Sequence, residues 1–185
     1  MTGIDPARLI FLDETSTPTT LTPLRARAPR GKRAVGRVPR GRRGNVTLLA
    51  TLTPGGFGAS VLLEGAIDGD AFEAFVAQVL VPALRPGQTV VLDNLSVHKR
   101  AAARVRIEAA GCHLRFLPTY SPDFNPIEQA FAAVKQRLRR AEARSYPSLL
   151  AAAGPALAAI TPAHARAFFR DAGFPPAPDA TGQPL

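Results

Sequence analysis

The chain has 185 residues, 46% of them hydrophobic, and its 23 Lys and Arg against 14 Asp and Glu leave a net charge of +9. That length and apolar content specify one folded domain with tails and exclude a wholly disordered chain. No run approaches the roughly 20 apolar residues of a membrane span, the first residues lack the basic and apolar regions of a secretory signal, and Cys112 is alone. An internal disulfide or a cysteine zinc site is thereby excluded. Cys112 reads as a small buried hydrophobe, and a cytoplasmic location is expected.

In chain order, residues 8–13 (Arg-Leu-Ile-Phe-Leu-Asp) read as a short buried strand ending in an acid. Residues 14–44 are rich in Thr, Pro, Gly and Arg and predict a long basic loop, with room for a short strand inside. No acid stands between Glu14 and Glu64, while Arg25, Arg27, Arg30, Lys32, Arg33, Arg37, Arg40, Arg42 and Arg43 fall within that gap. These nine bases equal the net charge, and arginine forks favour phosphate. The segment is therefore a candidate DNA-binding arm. The competing reading is a solvated basic loop in an Arg-rich chain.

Residues 45–53 and 57–63 predict an antiparallel hairpin around the Pro54-Gly55-Gly56 turn. In 69–84 the period changes: Phe72, Phe75, Val76, Val79, Leu80 and Ala83 make a helical stripe, with Asp68 or Gly69 near the N-cap. Residues 89–93 (Thr-Val-Val-Leu-Asp) repeat the pattern of a buried strand ending in an acid. A helix over 98–110, a strand over 113–117, a proline-rich loop, a helix over 126–141 and a helical region over 146–171 complete the plan. The order implies an α/β fold with a mixed central sheet flanked by helices. The domain is placed at 5–172, with 14–44 as a basic loop inside it and 173–185 as a disordered tail.

Asp13 and Asp93 each follow a run of apolar residues, so each is expected at the carboxyl end of a central strand, where ligand sites of open α/β sheets gather. Taken singly, each also reads as a loop or cap residue. Two carboxylates side by side repel unless a cation or proton intervenes, and Mg²⁺ favours such a donor set. Glu128 falls in the first turn of the 126–141 helix, behind Asn125 as a candidate N-cap and Pro126 at its favoured position. The helix dipole alone would explain an acid there. On that helix Ile127, Phe131, Val134 and Leu138 form a core stripe. Glu128, Ala132, Lys135 and Arg139 share the neighbouring face, which makes Lys135 and Arg139 candidates for strand phosphates.

The segments Phe-Leu-Asp-Glu-Thr (11–15), Val-Leu-Asp-Asn-Leu-Ser-Val-His (91–98) and Leu-Pro-Thr-Tyr-Ser-Pro-Asp-Phe-Asn-Pro-Ile-Glu (117–128) resemble those of the DDE transposases of mariner-like bacterial insertion sequences, the insertion sequence six-thirty group. The third is the most specific. The 34 residues between Asp93 and Glu128 are a spacing that the superfamily uses. The resemblance spans about residues 8–172. It implies an RNase H-like fold, with Asp13, Asp93 and Glu128 as catalytic residues holding two Mg²⁺ or Mn²⁺ ions. The reaction implied is DNA cleavage followed by strand transfer, on transposon ends and target DNA, by a homodimer. Asn94, His98 and Asn125 are marked as accessory positions. His98 could contact substrate, orient the site or make only a local hydrogen bond at a helix start. His113 and His164 match nothing catalytic, and Tyr120 and Ser121 are expected to fix the loop.

Relatives of that group carry an N-terminal helix-turn-helix region. About seven residues precede the first strand here, too few for such a module, so the chain is expected to be a fragment, a degenerate copy, or the downstream half of a two-frame element whose helix-turn-helix half is separately encoded. The alternatives are an inactive or domesticated transposase-derived DNA-binding protein and a cellular RNase H-like nuclease. The 117–128 segment argues against the nuclease.

Overall fold

The computed structural model describes residues 4–22, 26–36 and 44–175. Five strands form one mixed sheet in the order β3-β2-β1-β4-β5. They are β1 (Leu9–Pro18), β2 (Asn45–Thr53), β3 (Gly56–Glu64), β4 (Thr89–Leu92) and β5 (His113–Phe116). The pairs β1–β2 and β2–β3 are antiparallel, whereas β1–β4 and β4–β5 are parallel. The helices are α1 (Gly69–Phe75), α2 (Ala101–Ala109), α3 (Pro126–Arg140), α4 (Tyr146–Ala158) and α5 (Pro162–Asp171).

Alternation along β1 divides the core. Leu9 and Phe11 join Val46, Leu48, Val91 and the buried residues of α3, α4 and α5 on one face. Leu12 joins Leu49, Val90, Leu92, Phe72, Val76, Leu80, Ala103 and Ile107 on the other. A side-chain period of two requires this partition. Phe11 and Phe169 meet edge to face with ring centroids 5.3 Å apart. Such pairs add about 0.5–1.5 kcal/mol beyond the area they bury. Cys112 is buried in the second core, in keeping with its reading as a small hydrophobe.

Four expectations need correction. First, β1 does not end at Asp13. It runs on to Pro18, with Thr15 and Thr17 buried and Ser16 and Pro18 exposed. β-Branched threonines suit a half-buried pleat, and this stretch pairs with β2 from Asn45 to Ala50. The first five residues assigned to the 14–44 loop are thus strand.

Second, the 69–84 helix is not uniform. Asp68 caps α1 through its side chain as expected, but Val76–Leu80 widen into a π turn and Val81–Ala83 tighten into a 3₁₀ turn. Pro82 lacks an N–H and its ring crowds the preceding turn, so regular α geometry cannot pass it. Third, the 146–171 region is two helices. Thr161 is extended, the conformation favoured before a proline, and its side chain caps α5. Fourth, the 98–110 helix opens as a 3₁₀ turn over Ser96–Lys99, and α2 proper starts at Ala101.

Among the described residues no single helix is long and apolar enough to cross a membrane. The tail from 176 onwards lies outside the described residues, and so do Arg25, Arg37, Arg40, Arg42 and Arg43 of the basic segment. Arg27, Arg30, Lys32 and Arg33 are described and are all exposed.

Candidate active site

The parallel ladder between β1 and β4 runs from Leu9↔Thr89 to Phe11↔Val91. Extending that register by two residues sets Asp13 opposite Asp93. β4 stops at Leu92, while β1 continues beside β2 alone. The two carboxylates therefore stand where the sheet opens between β1 and β4. Asp13, Asp93 and Glu128 line one cleft of about 280 Å³ together with Asn94, Leu95, Asn125 and the 117–122 loop.

Asp13 is buried. Its Oδ1 accepts the Glu14 N–H at 2.8 Å and its Oδ2 accepts Asn125 Nδ2–H at 2.7 Å. Burial pushes its carboxyl up to about 7, and the charges of Asp93, Glu14 and Glu128 push the same way against the Glu14 hydrogen bond. A buried carboxylate in this setting binds a proton or a cation.

Asp93 is tied differently. Burial works to raise its carboxyl, but hydrogen bonds from His98 and the Leu95 N–H outweigh it and hold the group below its ordinary value. Both of these bonds fall on Oδ1, at 2.5 Å from His98 Nδ1 and 3.0 Å from Leu95 N. The other nitrogen of His98, Nε2, lies 2.8 Å from Glu14 Oε2. The His98 side chain is fully buried. Its ring packs on Phe72 with centroids 4.9 Å apart. Burial opposes its protonation, but the two carboxylates prevail and raise it to about 9.

Asn125 occupies the N-cap of α3, yet its side chain makes no capping bond. Its place at the N-cap is the one expected. The side chain turns instead to Asp13, and its buried Oδ1 has no hydrogen-bond partner among the described residues. Glu128 sits exposed in the first turn of α3 and on the cleft. Ile127, Phe131, Val134 and Leu138 are buried as their spacing predicts and hold the helix to the sheet. Burial lowers the Lys135 ammonium, and Glu128 and Arg139 act on it in opposite senses. Its face is thus the one expected from spacing.

Asn94 Nδ2–H donates to Thr119 Oγ1 at 2.8 Å and joins the end of β4 to the 117–125 loop. Tyr120 does not brace that loop through its ring, which is 97% exposed on a backbone with φ of 55°. Proline restricts the loop at 118, 122 and 126 instead. His113 is exposed, and His164 completes the α5 capping box with Thr161. Among the described residues, no three His, Cys, Asp or Glu side chains stand close enough to enclose one ion together. The arrangement offers the hard oxygen donors of Asp13, Asp93 and Glu128 along one cleft, with the Asn125 side chain on its wall. That chemistry suits a hydrated divalent cation bound through few carboxylates.

A family model described as DDE superfamily endonuclease matches residues 8–150. No curated protein matches the chain. Among solved structures, the pre-cleavage Mos1 transpososome aligns with a TM-score of 0.73 at 17% identity, over 92% of this chain and 53% of that one. The Mos1 mariner paired-end complex with Mn gives 0.71 at 20% identity, over 92% and 53%. The catalytic domain of Mos1 mariner transposase gives 0.63 at 17%, over 92% and 78%. The chain thus spans about half the length of the complete relatives it matches. At these identities the likeness establishes the fold, a five-stranded mixed sheet flanked by helices of the RNase H-like kind.

Proposed function

The chain belongs to the DDE superfamily endonucleases, and on that premise we propose that it is the catalytic domain of a cut-and-paste DNA transposase of the mariner-like bacterial insertion-sequence group. The observation that carries this reading is that Asp13 and Asp93, both just past the end of the β1–β4 ladder, line one cleft with Glu128.

Asp13, Asp93 and Glu128 are the residues that would hold divalent metal, two Mg²⁺ or Mn²⁺ ions. The donor set fits: oxygen ligands only, one of them a buried carboxyl with a raised proton affinity, beside the Asn125 Oδ1 that has no partner among the described residues. Bound there, the metal supplies positive charge to a scissile phosphate and favours ionisation of the attacking hydroxyl. The protein's own residues position. Asn125 fixes Asp13 by a hydrogen bond, and the Asn94–Thr119 contact fixes the loop that walls the cleft. Lys135 and Arg139, on the Glu128 face of α3, contact phosphates of the bound strand. The arm residues Arg27, Arg30, Lys32 and Arg33 hold DNA backbone farther off. Binding through such contacts weakens steeply with salt.

The reaction is phosphodiester hydrolysis followed by attack of the released 3′-hydroxyl on target DNA, with no covalent protein–DNA intermediate. Pairing of the ends is assigned to a homodimer on DNA. Recognition of their sequence is assigned to a helix-turn-helix module on the same or a separate chain.

Incubation with supercoiled plasmid tests the reading. Nicked circles are expected with Mg²⁺ or Mn²⁺, none with EDTA, and none from Asp93→Ala. DNA binding without nicking under any divalent ion would favour the alternative, a transposase-derived DNA-binding protein.

A further inference from the structure

We infer that Glu14 and His98 form a clamp that sets the orientation of Asp93, so that Glu14 governs metal affinity at the cleft without being a ligand. This rests on the reading of Asp93 as a metal-holding residue.

The pleat of β1 decides which way each acid points. Asp13 shares the parity of Leu9 and Phe11 and points to the α3 side, where Asn125 meets it. Glu14 shares the parity of Leu12 and points to the opposite side. It therefore cannot join Asp13 at the cleft, and neither Glu14 nor His98 lines it. On that opposite side Glu14 finds His98, 84 residues away in the chain.

The backbone ladder between β1 and β4 gives out at Phe11↔Val91. Beyond it no strand hydrogen bond holds the Asp93 segment to β1. The imidazole bridges the gap instead. Its Nε2 reaches Glu14 on β1 at 2.8 Å, and its Nδ1 reaches Asp93 just past β4 at 2.5 Å. Both partners are carboxylates, so each ring nitrogen acts as a donor. The ring is fully buried and packs at a tilt against Phe72, which restricts its movement. With the Leu95 N–H on the same oxygen, two donors anchor Asp93 Oδ1, and no protein donor among the described residues occupies Oδ2. A carboxylate fixed by one oxygen presents the other in a set direction. Partners that orient a metal ligand in this way commonly change affinity by about 10–100-fold.

The test titrates Mn²⁺ into the full chain and reads free Mn²⁺ by its electron paramagnetic resonance signal, with thermal unfolding measured beside it. Expected are a loss of Mn²⁺ affinity of about 10-fold or more in His98→Ala and a smaller loss in Glu14→Gln. Because Glu14 acts through His98, Glu14→Gln combined with His98→Ala is expected to bind no worse than His98→Ala alone. Should His98→Ala not fold, Glu14→Gln and Glu14→Ala carry the test. Wild-type affinity in the folded clamp variants, with Asp93→Ala impaired, overturns the clamp and leaves the metal reading standing. Wild-type affinity in Asp93→Ala overturns the metal reading itself. Losses in the single variants that multiply in the double variant also overturn the clamp, since they would make the two residues independent.

Discussion

Asn125 stands at the N-cap of α3 and donates its side-chain N–H to Asp13, 112 residues earlier, at 2.7 Å instead of capping its own helix. The proline loop thereby delivers one residue that serves β1, and three residues later Glu128, which serves the same cleft. Asn125→Ala removes the donor to Asp13 Oδ2 and leaves the buried carboxyl with the Glu14 N–H on Oδ1 alone. Expected is a loss of nicking of about 10–100-fold with a stability cost of about 1–3 kcal/mol. Asn125→Asp adds a fourth carboxylate and should unfold at a lower temperature at high pH than at low pH, relative to wild type. Unchanged nicking in Asn125→Ala would show the bond to be incidental.

Stability of the metal-free protein should fall as pH rises. The folded Asp13 carboxyl keeps its proton up to about 7, whereas an unfolded one loses it near about pH 4. Between those values the folded state holds the extra proton, so stability is present at the acid end and lost toward 7. Folded His98 titrates at about 9. Its contribution is complete below the unfolded value of about 6.5 and is lost as pH passes through about 9. Both slopes run the same way. Thermal unfolding in EDTA is expected to show a higher midpoint at about pH 5 than at about pH 9. Asp13→Asn should flatten the lower half of that profile, and a slope that survived the substitution would contradict the assignment.

Two sets of cations should be separable by salt. Lys135→Ala or Arg139→Ala should weaken binding to all DNA sequences alike, and each should lower the slope of log affinity against log salt by about 1. Replacing Arg27, Arg30, Lys32 and Arg33 together by alanine should lower it by about 3–4. The arm variant should recover nicking at low salt, because it touches no cleft residue. The Lys135 variant should not recover fully. An unchanged slope in the arm variant would mark those exposed bases as a solvated loop.

Tyr120 holds a left-handed backbone with no buried ring to offset it. Such a conformation costs a non-glycine residue about 1–2 kcal/mol. Tyr120→Gly relieves it, against a glycine entropy cost of about 0.5–1 kcal/mol. The midpoint of unfolding should stay level or rise slightly. A drop of many degrees would mean that the ring supports the loop after all.

Asp13 and Asp93 are visible in the sequence because each follows a run of apolar residues that reads as a buried strand, and β1 and β4 are neighbours in the sheet. Glu14 is hidden for the opposite reason. A Thr-Pro stretch after Asp13 resembles loop, and only the alternation of Thr15 and Thr17 signals that the strand continues and turns Glu14 to the other face. Asn125 is legible as an N-cap residue, but its bond to Asp13, 112 residues away, lies beyond any local pattern. The Glu14 partner of His98 lies beyond any local window. The capping boxes at Ser145 and Thr161 escape notice because their fourth residues are Ser148 and His164, where Glu or Gln is the usual signal.

Glu128 has the strongest purely structural explanation of the three acids, since any acid in the first turn of α3 is favoured by the helix dipole. It therefore gives the most direct test of the three-carboxylate site. Single-turnover nicking with Mg²⁺ should be measured for wild type, Glu128→Gln, Asp13→Asn, Asp93→Asn and the triple variant. If the three carboxylates act as one unit, each single substitution should cost roughly 10³-fold or more, and the triple variant should be little worse than the singles. A Glu128→Gln protein that nicks at the wild-type rate, with only a slightly lower unfolding temperature, would contradict the three-carboxylate site.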